Sequence, residues 1–332
     1  MNDEDSRILI ASFGVIISVY LFGLKIFICH RNRLLDVMDE IVEKEKEIWK
    51  SEDDDVKEMY TKQVIFCNVL CFVQLVIVSI CTTALGYVGI TADGQIIEYN
   101  QAHNTSLDSH NWYQFWFPGS KLEHRGIVYA INIAFGTLGG GADIAWHSVL
   151  STLMIFAVTR LQILKIKLRK FIKEDTAQNT DNKTMELKEY IVEHQYLISY
   201  VKNLNENIKS VMLMHFSLNA IEIASSLSGL IQGPVSVGQQ IFLITYTFLT
   251  LYQIFMTTWN ANEIREQSTG IADALYQSNW LLLNKEGKVL CQVMMNRAQK
   301  PLAITIGPFG VMTNQSILTI VKAAYSYVSI MH

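Results

Sequence analysis

The chain has 332 residues, of which 50% are hydrophobic and only 17% charged, and its net charge is −4. A soluble chain of this size more commonly has about a quarter of its residues charged, and no basic excess is present to hold nucleic acid. The five cysteines form no CxxC pair, so neither a disulfide framework nor a zinc site is indicated.

The mean hydropathy of +0.21 is concentrated in long apolar runs. A helix needs about 20 apolar residues to cross a bilayer. On that measure six spans are predicted, over 8–29, 61–87, 126–158, 210–231, 238–259 and 313–331. The first run, ILIASFGVIISVYLFGLKIFIC, is too long for a signal-peptide core. Acidic NDED precedes it where a basic segment would be needed. After it, LLDVMDEIVEKEKEIW spaces Leu34, Leu35, Met38, Ile41, Val42 and Ile48 on one face of an amphipathic helix. Cys67 and Cys71 share a face of the second span and are read as packing residues.

Outside the spans, twenty-two Lys and Arg residues lie in 30–63, 159–209 and 260–300, against three on the other side: Arg7, Lys121 and Arg125. The basic loops are therefore expected in the cytoplasm, with both termini outside. The loop 88–125 is then extracellular, and its Asn-Thr-Ser at Asn104 is a candidate glycan acceptor. The third span carries Gly139, Gly140 and Gly141, which allow a bend or a close backbone approach, followed by Asp143. Asp143 and Glu222 are acids at membrane depth. Their readings are a functional role or a local register contact with neighbouring hydroxyls or amides. His147 and His215 are expected to pack or hydrogen-bond locally.

EDTAQNTDNKT reads as a short polar loop. YIVEHQYLISYVKNLNENIKSVM then runs into the fourth span as a helical extension. Near the C-terminus, RAQKPLAITIGPFG holds two of the four prolines. Pro301 is expected to start a helix and Pro308 to stop one, with turns at Gly307 and Gly310. This divides the end of the chain into a cytoplasmic helix over about 285–305 and a final span. In that span Ser316, Thr319, Ala323, Ser326 and Ile330 form a small, polar stripe ending in an apolar residue. Such a stripe suits helix packing in a membrane. It also suits a pore wall closed by a ring of Ile330, which would gate by dewetting.

The C-terminal motifs are NEIREQSTGIADALYQSNW, VMMNRAQKPLAITIGPF and ILTIVKAAYSY, with DIAWHSVL in the third span. In order and spacing they resemble the insect odorant receptor family. The resemblance covers nearly the whole chain. It implies an all-α polytopic membrane helix bundle with packed cytoplasmic helix extensions, here over 160–209 and 260–306. The family has seven spans. Six are predicted here, and the first of them resembles the family's second, so the family's first span is expected to be missing. Where Pro308 stands, the family more often has lysine.

The resemblance further implies an odorant-gated non-selective cation channel, tetrameric with a co-receptor subunit, in the plasma membrane of an olfactory neuron dendrite. The last helix would line the pore. The short loop 171–189 marks a tuning subunit rather than the co-receptor. Mapped by span, a pocket in the outer half of the bundle for a small volatile organic ligand would draw on Phe13, Ile16 and Tyr20, then Val78, Cys81 and Thr82. Its other walls would be Tyr129, Ile133 and Thr137, and Phe242, Tyr246 and Thr250. The competing reading is a G-protein-coupled chemoreceptor. Six spans would leave that receptor without a cytoplasmic tail. No HExxH, nucleophile elbow or inverted repeat is present, so no enzyme activity, metal or cofactor is expected.

Overall fold

A computed structural model describes residues 23, 25–28, 30–31, 34–50, 53–108, 116–171, 180–231 and 237–331. The first predicted span lies largely outside these residues. The described elements are all helical: α1 (Leu34–Lys50), α2 (Asp54–His103), α3 (Arg125–Lys170), α4 (Thr180–Ile231), α5 (Val237–Tyr276), α6 (Lys285–Ala298) and α7 (Asn314–Met331). Short 3-10 turns stand at Trp280–Leu282 and Gly307–Phe309. Among the described residues the only β pairing is the isolated bridge between Thr305 and Val311.

Among the described residues three helices, α2, α3 and α5, are long and apolar enough to cross a membrane. The helices α2 to α5 are 50, 46, 52 and 40 residues long. At 1.5 Å per residue each exceeds a hydrocarbon core of about 30 Å, so each must project beyond it. The projections of α3, α4 and α5 pack on one another. The main core joins Leu161, Leu164 and Leu168 of α3, Leu197 and Ile208 of α4, Ile264 and Ile271 of α5, and Cys291 of α6. Polar contacts fasten the same region: the Arg160 guanidinium donates to Glu193 at 2.5 Å, and Lys165 Nζ donates to Gln267 at 2.8 Å. Burial lowers the Lys165 pKa.

Helix ends explain where elements begin and stop. Asp53 caps α2 by accepting the Asp55 amide at 3.1 Å, and Lys170 at the end of α3 donates to Asp53 at 2.9 Å. The α2 helix continues 16 residues past the predicted span end at 87 and stops at Asn104, whose φ of 53° is left-handed. Asparagine tolerates that conformation and so terminates helices. At its start, α4 takes in Thr180–Thr184 of the stretch predicted as loop.

The C-terminal break differs from expectation. Helix α6 ends at Ala298, not near 305, and Pro301 follows it in extended chain rather than starting a helix. Proline is common just beyond a helix because it cannot continue the ladder. Pro308 does not stop a helix either; it lies in the first turn of the 3-10 segment. The connection is a fixed structure. The Leu302 amide donates to Ser268 Oγ at 2.9 Å, and the Thr305 amide donates to Asn205 Oδ1 at 2.7 Å. Met312 N donates to Ile304 O at 2.8 Å. Gly307 and Gly310 make the turns as expected, at φ of 50° and 106°. The final helix is thus aimed by α4 and α5, not by a free hinge.

Candidate functional site

Two polar layers cross the bundle where α3, α4 and α5 meet. In one, the Tyr246 hydroxyl of α5 and the Glu222 carboxylate of α4 interact. The other lies seven residues along α5, about 10 Å at helical rise. There Gln253 Nε2 donates to Asp143 Oδ2 at 2.6 Å, and Lys25 Nζ lies 3.4 Å from Asp143 Oδ1. His147, one turn along α3, places Nε2 3.6 Å from the same oxygen. Its ring lies 5.0 Å from that of His215, which is hydrogen-bonded to Asn219 at 3.1 Å. Lys25 also sits over the Trp146 ring at 5.8 Å. A charge at membrane depth is stable only with such partners. Here Asp143 and Lys25 neutralise each other across two segments, and the amide of Gln253 fills the other carboxylate oxygen.

Asp143 thus has local partners, including an amide, as the register-contact reading expects. The histidines also interact locally, as expected. The sequence reading missed Lys25 and Gln253. A signal was available for the first: Lys25 is the only basic residue in the run 8–29, and an intramembrane acid calls for a cation at its own depth. Gln253 carried no signal, because its value depends on which residue faces it.

The expected ligand residues separate into groups. Val78, Cys81 and Tyr246 share one apolar cluster with Leu249 and Ile144, and Phe242 stacks on Tyr246 at 5.7 Å. Thr82 and Thr250 donate to carbonyls of their own helices at 3.0 Å, which leaves only their lone pairs for another group. The Tyr129 hydroxyl donates to Asp93 at 2.5 Å. Ile133 and Thr137 are exposed. Phe13, Ile16 and Tyr20 lie outside the described residues. The glycine run does not break α3. Instead a Cβ on Gly140 would lie 2.8 Å from Val78 Cγ1, so this glycine permits close approach of α2 beside the cluster. A separate open groove of about 640 Å³ between α2 and α5 is lined by Leu75, Ser79, Thr83, Tyr87, Gly238 and others, and by none of the expected ligand residues.

On α7, Ile320 and Ala324 are buried, and Ile317 packs against the main core. Thr319, Ala323 and Ser326 are exposed and Ser316 is half-buried. The Ile330 side chain lies outside the described set. Lys322 is exposed on the same helix. Asn104 is exposed at the end of α2. Among the described residues no group of three His, Cys, Asp or Glu side chains is placed to hold a metal.

A family model described as 7tm Odorant receptor matches residues 8–325. Among curated proteins, the chain is 28% identical over 207 residues to Odorant receptor 10 of Aedes albopictus, covering 62% of this chain and 54% of that one. It is also 28% identical over 193 residues to Odorant receptor Or2 of Anopheles gambiae, covering 57% and 51%. The chain thus spans about half the length of these relatives. Among solved structures, the insect olfactory receptor OR5 from Machilis hrabei in complex with eugenol matches with a TM-score of 0.74 at 16% identity. That match covers 97% of this chain and 81% of the other, and shows a shared fold.

Proposed function

This chain belongs to the insect odorant receptor family, a family of multi-pass membrane proteins, and we propose that it is an odorant-tuning subunit of a ligand-gated, non-selective cation channel. The observation that carries the proposal is the division of α7. One face, with Ile320 and the small Ala324, is buried against the bundle, while Thr319, Ala323 and Ser326 are left exposed beside Leu318, Val321 and Tyr325. Within the subunit a small residue, Ala324, already provides the close approach, so the exposed stripe is not needed for that packing. Turned toward a central axis, the same stripe gives a wall of hydroxyls and small side chains, with Ile330 as the closing ring.

The ligand, a small volatile organic molecule, binds in the outer half of the bundle. The cluster of Val78, Cys81 and Tyr246, with Phe242 stacked beside it, supplies an apolar and aromatic wall. Binding favours the open arrangement through tighter contact with it, a population shift that needs no covalent step. The α7 junction, bonded to Ser268 and Asn205, carries that shift from α4 and α5 into the last helix. The subunit works with a co-receptor in a tetramer at the dendritic plasma membrane, and the 160–209 and 260–306 segments form the cytoplasmic anchor. The remaining spans and the outward termini follow the Lys and Arg distribution, and Asn104 carries a glycan.

The test is current through cells that express this chain with a co-receptor while G-protein signalling is blocked. Fast odorant-evoked current that persists supports the channel. Loss of the response under the block would favour a G-protein-coupled receptor. In the same cells Ile330→Ser raises leak current without odorant; an unchanged leak in an assembled channel would remove Ile330 from the gate.

A further inference from the structure

A small cavity of about 10 Å³ lies between α2, α3 and α5, next to the Asp143 layer. Its wall includes Gln74, His147, Ser148, Ser151, Gln253 and Thr257, an unusually polar set for the middle of a membrane bundle. Two of these residues present buried atoms with no hydrogen-bond partner, the His147 atom lying 3.6 Å from Asp143 Oδ1. They are Gln74 Nε2, on a residue 5% exposed, and His147 Nε2, on a residue 4% exposed. They come from different helices, α2 and α3. Trp146 Nε1 and Asn260 Nδ2 are also buried without a partner, yet neither residue lines this cavity.

A buried amide N–H without an acceptor is costly, about 1–3 kcal/mol. Proteins commonly remove such a cost by enclosing a water molecule, which needs about 10–15 Å³ and two to four polar partners. Both conditions are met here. We propose that this cavity is an internal hydration site for one water molecule, held between Gln74 and His147. The water accepts the Gln74 N–H. It completes the His147 ring nitrogen as acceptor or donor, according to the ring tautomer. The Thr257 hydroxyl already donates to Gln253 O at 2.8 Å, so its lone pairs remain open to a water O–H.

The site has a structural consequence. Asp143 is bonded by Gln253 of α5 and approached by His147 of α3, but Gln74 gives α2 no direct bond into that layer. The water supplies the missing link and pins three helices at one depth. This holds whatever signal the chain transmits.

The deciding experiment is a reconstruction of the full chain in a lipid nanodisc at a resolution that shows ordered water. One discrete peak within hydrogen-bond distance of both Gln74 Nε2 and His147 Nε2 is expected, and it should vanish in Gln74→Leu. A wild-type map with no peak, or with Gln74 Nε2 turned onto a protein acceptor, overturns the proposal. A thermal-unfolding cycle reads the same link. If water joins the two residues, Gln74→Leu with His147→Phe lowers the midpoint by clearly less than the sum of the single shifts, while additive shifts contradict the bridge. Should a variant fail to assemble, the wild-type map decides alone.

Discussion

The two ends of α3 belong to different kinds of environment. From Trp146 to Leu168 the helix is dense with fully buried residues, including Leu153, Met154, Ala157, Leu161 and Leu164. From Arg125 to Ala145 only Val128, Asn132 and Gly136 are buried, while Phe135 and Leu138 are 61% and 73% exposed. α2 resembles the sparse end: just 28% of its most apolar window is buried. The dense end therefore makes its own core within one subunit. The sparse end leaves apolar surface for lipid, neighbouring segments or a ligand. The proposed function would use both: a rigid part to hold the assembly, and a loosely filled part whose packing a small molecule can change.

Substitutions on α3 should separate these regimes. The largest effect is expected for Leu161→Ala, at a residue with no exposure. A fully packed leucine costs about 2–5 kcal/mol when truncated. Leu138→Ala, at the exposed end, should stay within about 0.5 kcal/mol. Thermal unfolding in nanodiscs compares the two, and equal shifts would erase the distinction.

Asp143→Asn tests the boundary between the regions. It leaves Lys25 without its counter-charge, and breaking such a pair costs about 3 kcal/mol. Adding Lys25→Met should recover much of the loss. No recovery would mean that the pair does not carry the effect.

His194 gives the dense end a pH dependence. Burial and the nearby Arg297 push its imidazole down from 6.5 to about 4. Because the folded value lies below the unfolded one, the unfolded chain takes up the proton first as pH falls. Stability is complete above about 6.5 and is lost between there and about 4. The loss is on the order of 3 kcal/mol, and His194→Gln should flatten it in a pH series of unfolding midpoints. The smallest effect belongs to Lys170→Ala. Its partners Asp53 and Asp55 hold the lysine pKa up and its hydrogen bond lowers that of Asp53, yet the cluster is open to water. A slight shift that disappears at high salt is expected.

Much of the helical plan was legible in the sequence because long apolar runs report lipid-sized helices directly. The ends were not. Hydropathy falls along TADGQIIEYN, but the helix continues there because Asp93 takes the Tyr129 hydroxyl and Asn104 supplies the left-handed stop. Pro301 was read as a start because proline suits the first helical turn. Its real setting, an extended strap fixed by Ser268 and Asn205, depends on residues far away in the chain. Asp143 was recognisable as unusual by its depth alone. Its partner Gln253 and the cavity wall at Gln74 arise only when three helices come together. The small residues of α7 were visible as a stripe, while their exposure required the packing of Ile320 and Ala324 to be known.

The most direct test of the account is cysteine substitution along α7 in assembled channels, with odorant-evoked current read before and after a membrane-impermeant thiol reagent. Modification should reduce current at Thr319→Cys, Ala323→Cys and Ser326→Cys, and leave Ile320→Cys and Ala324→Cys unaffected. Block at the buried pair with none at the exposed three would place the conduction path elsewhere and contradict the account.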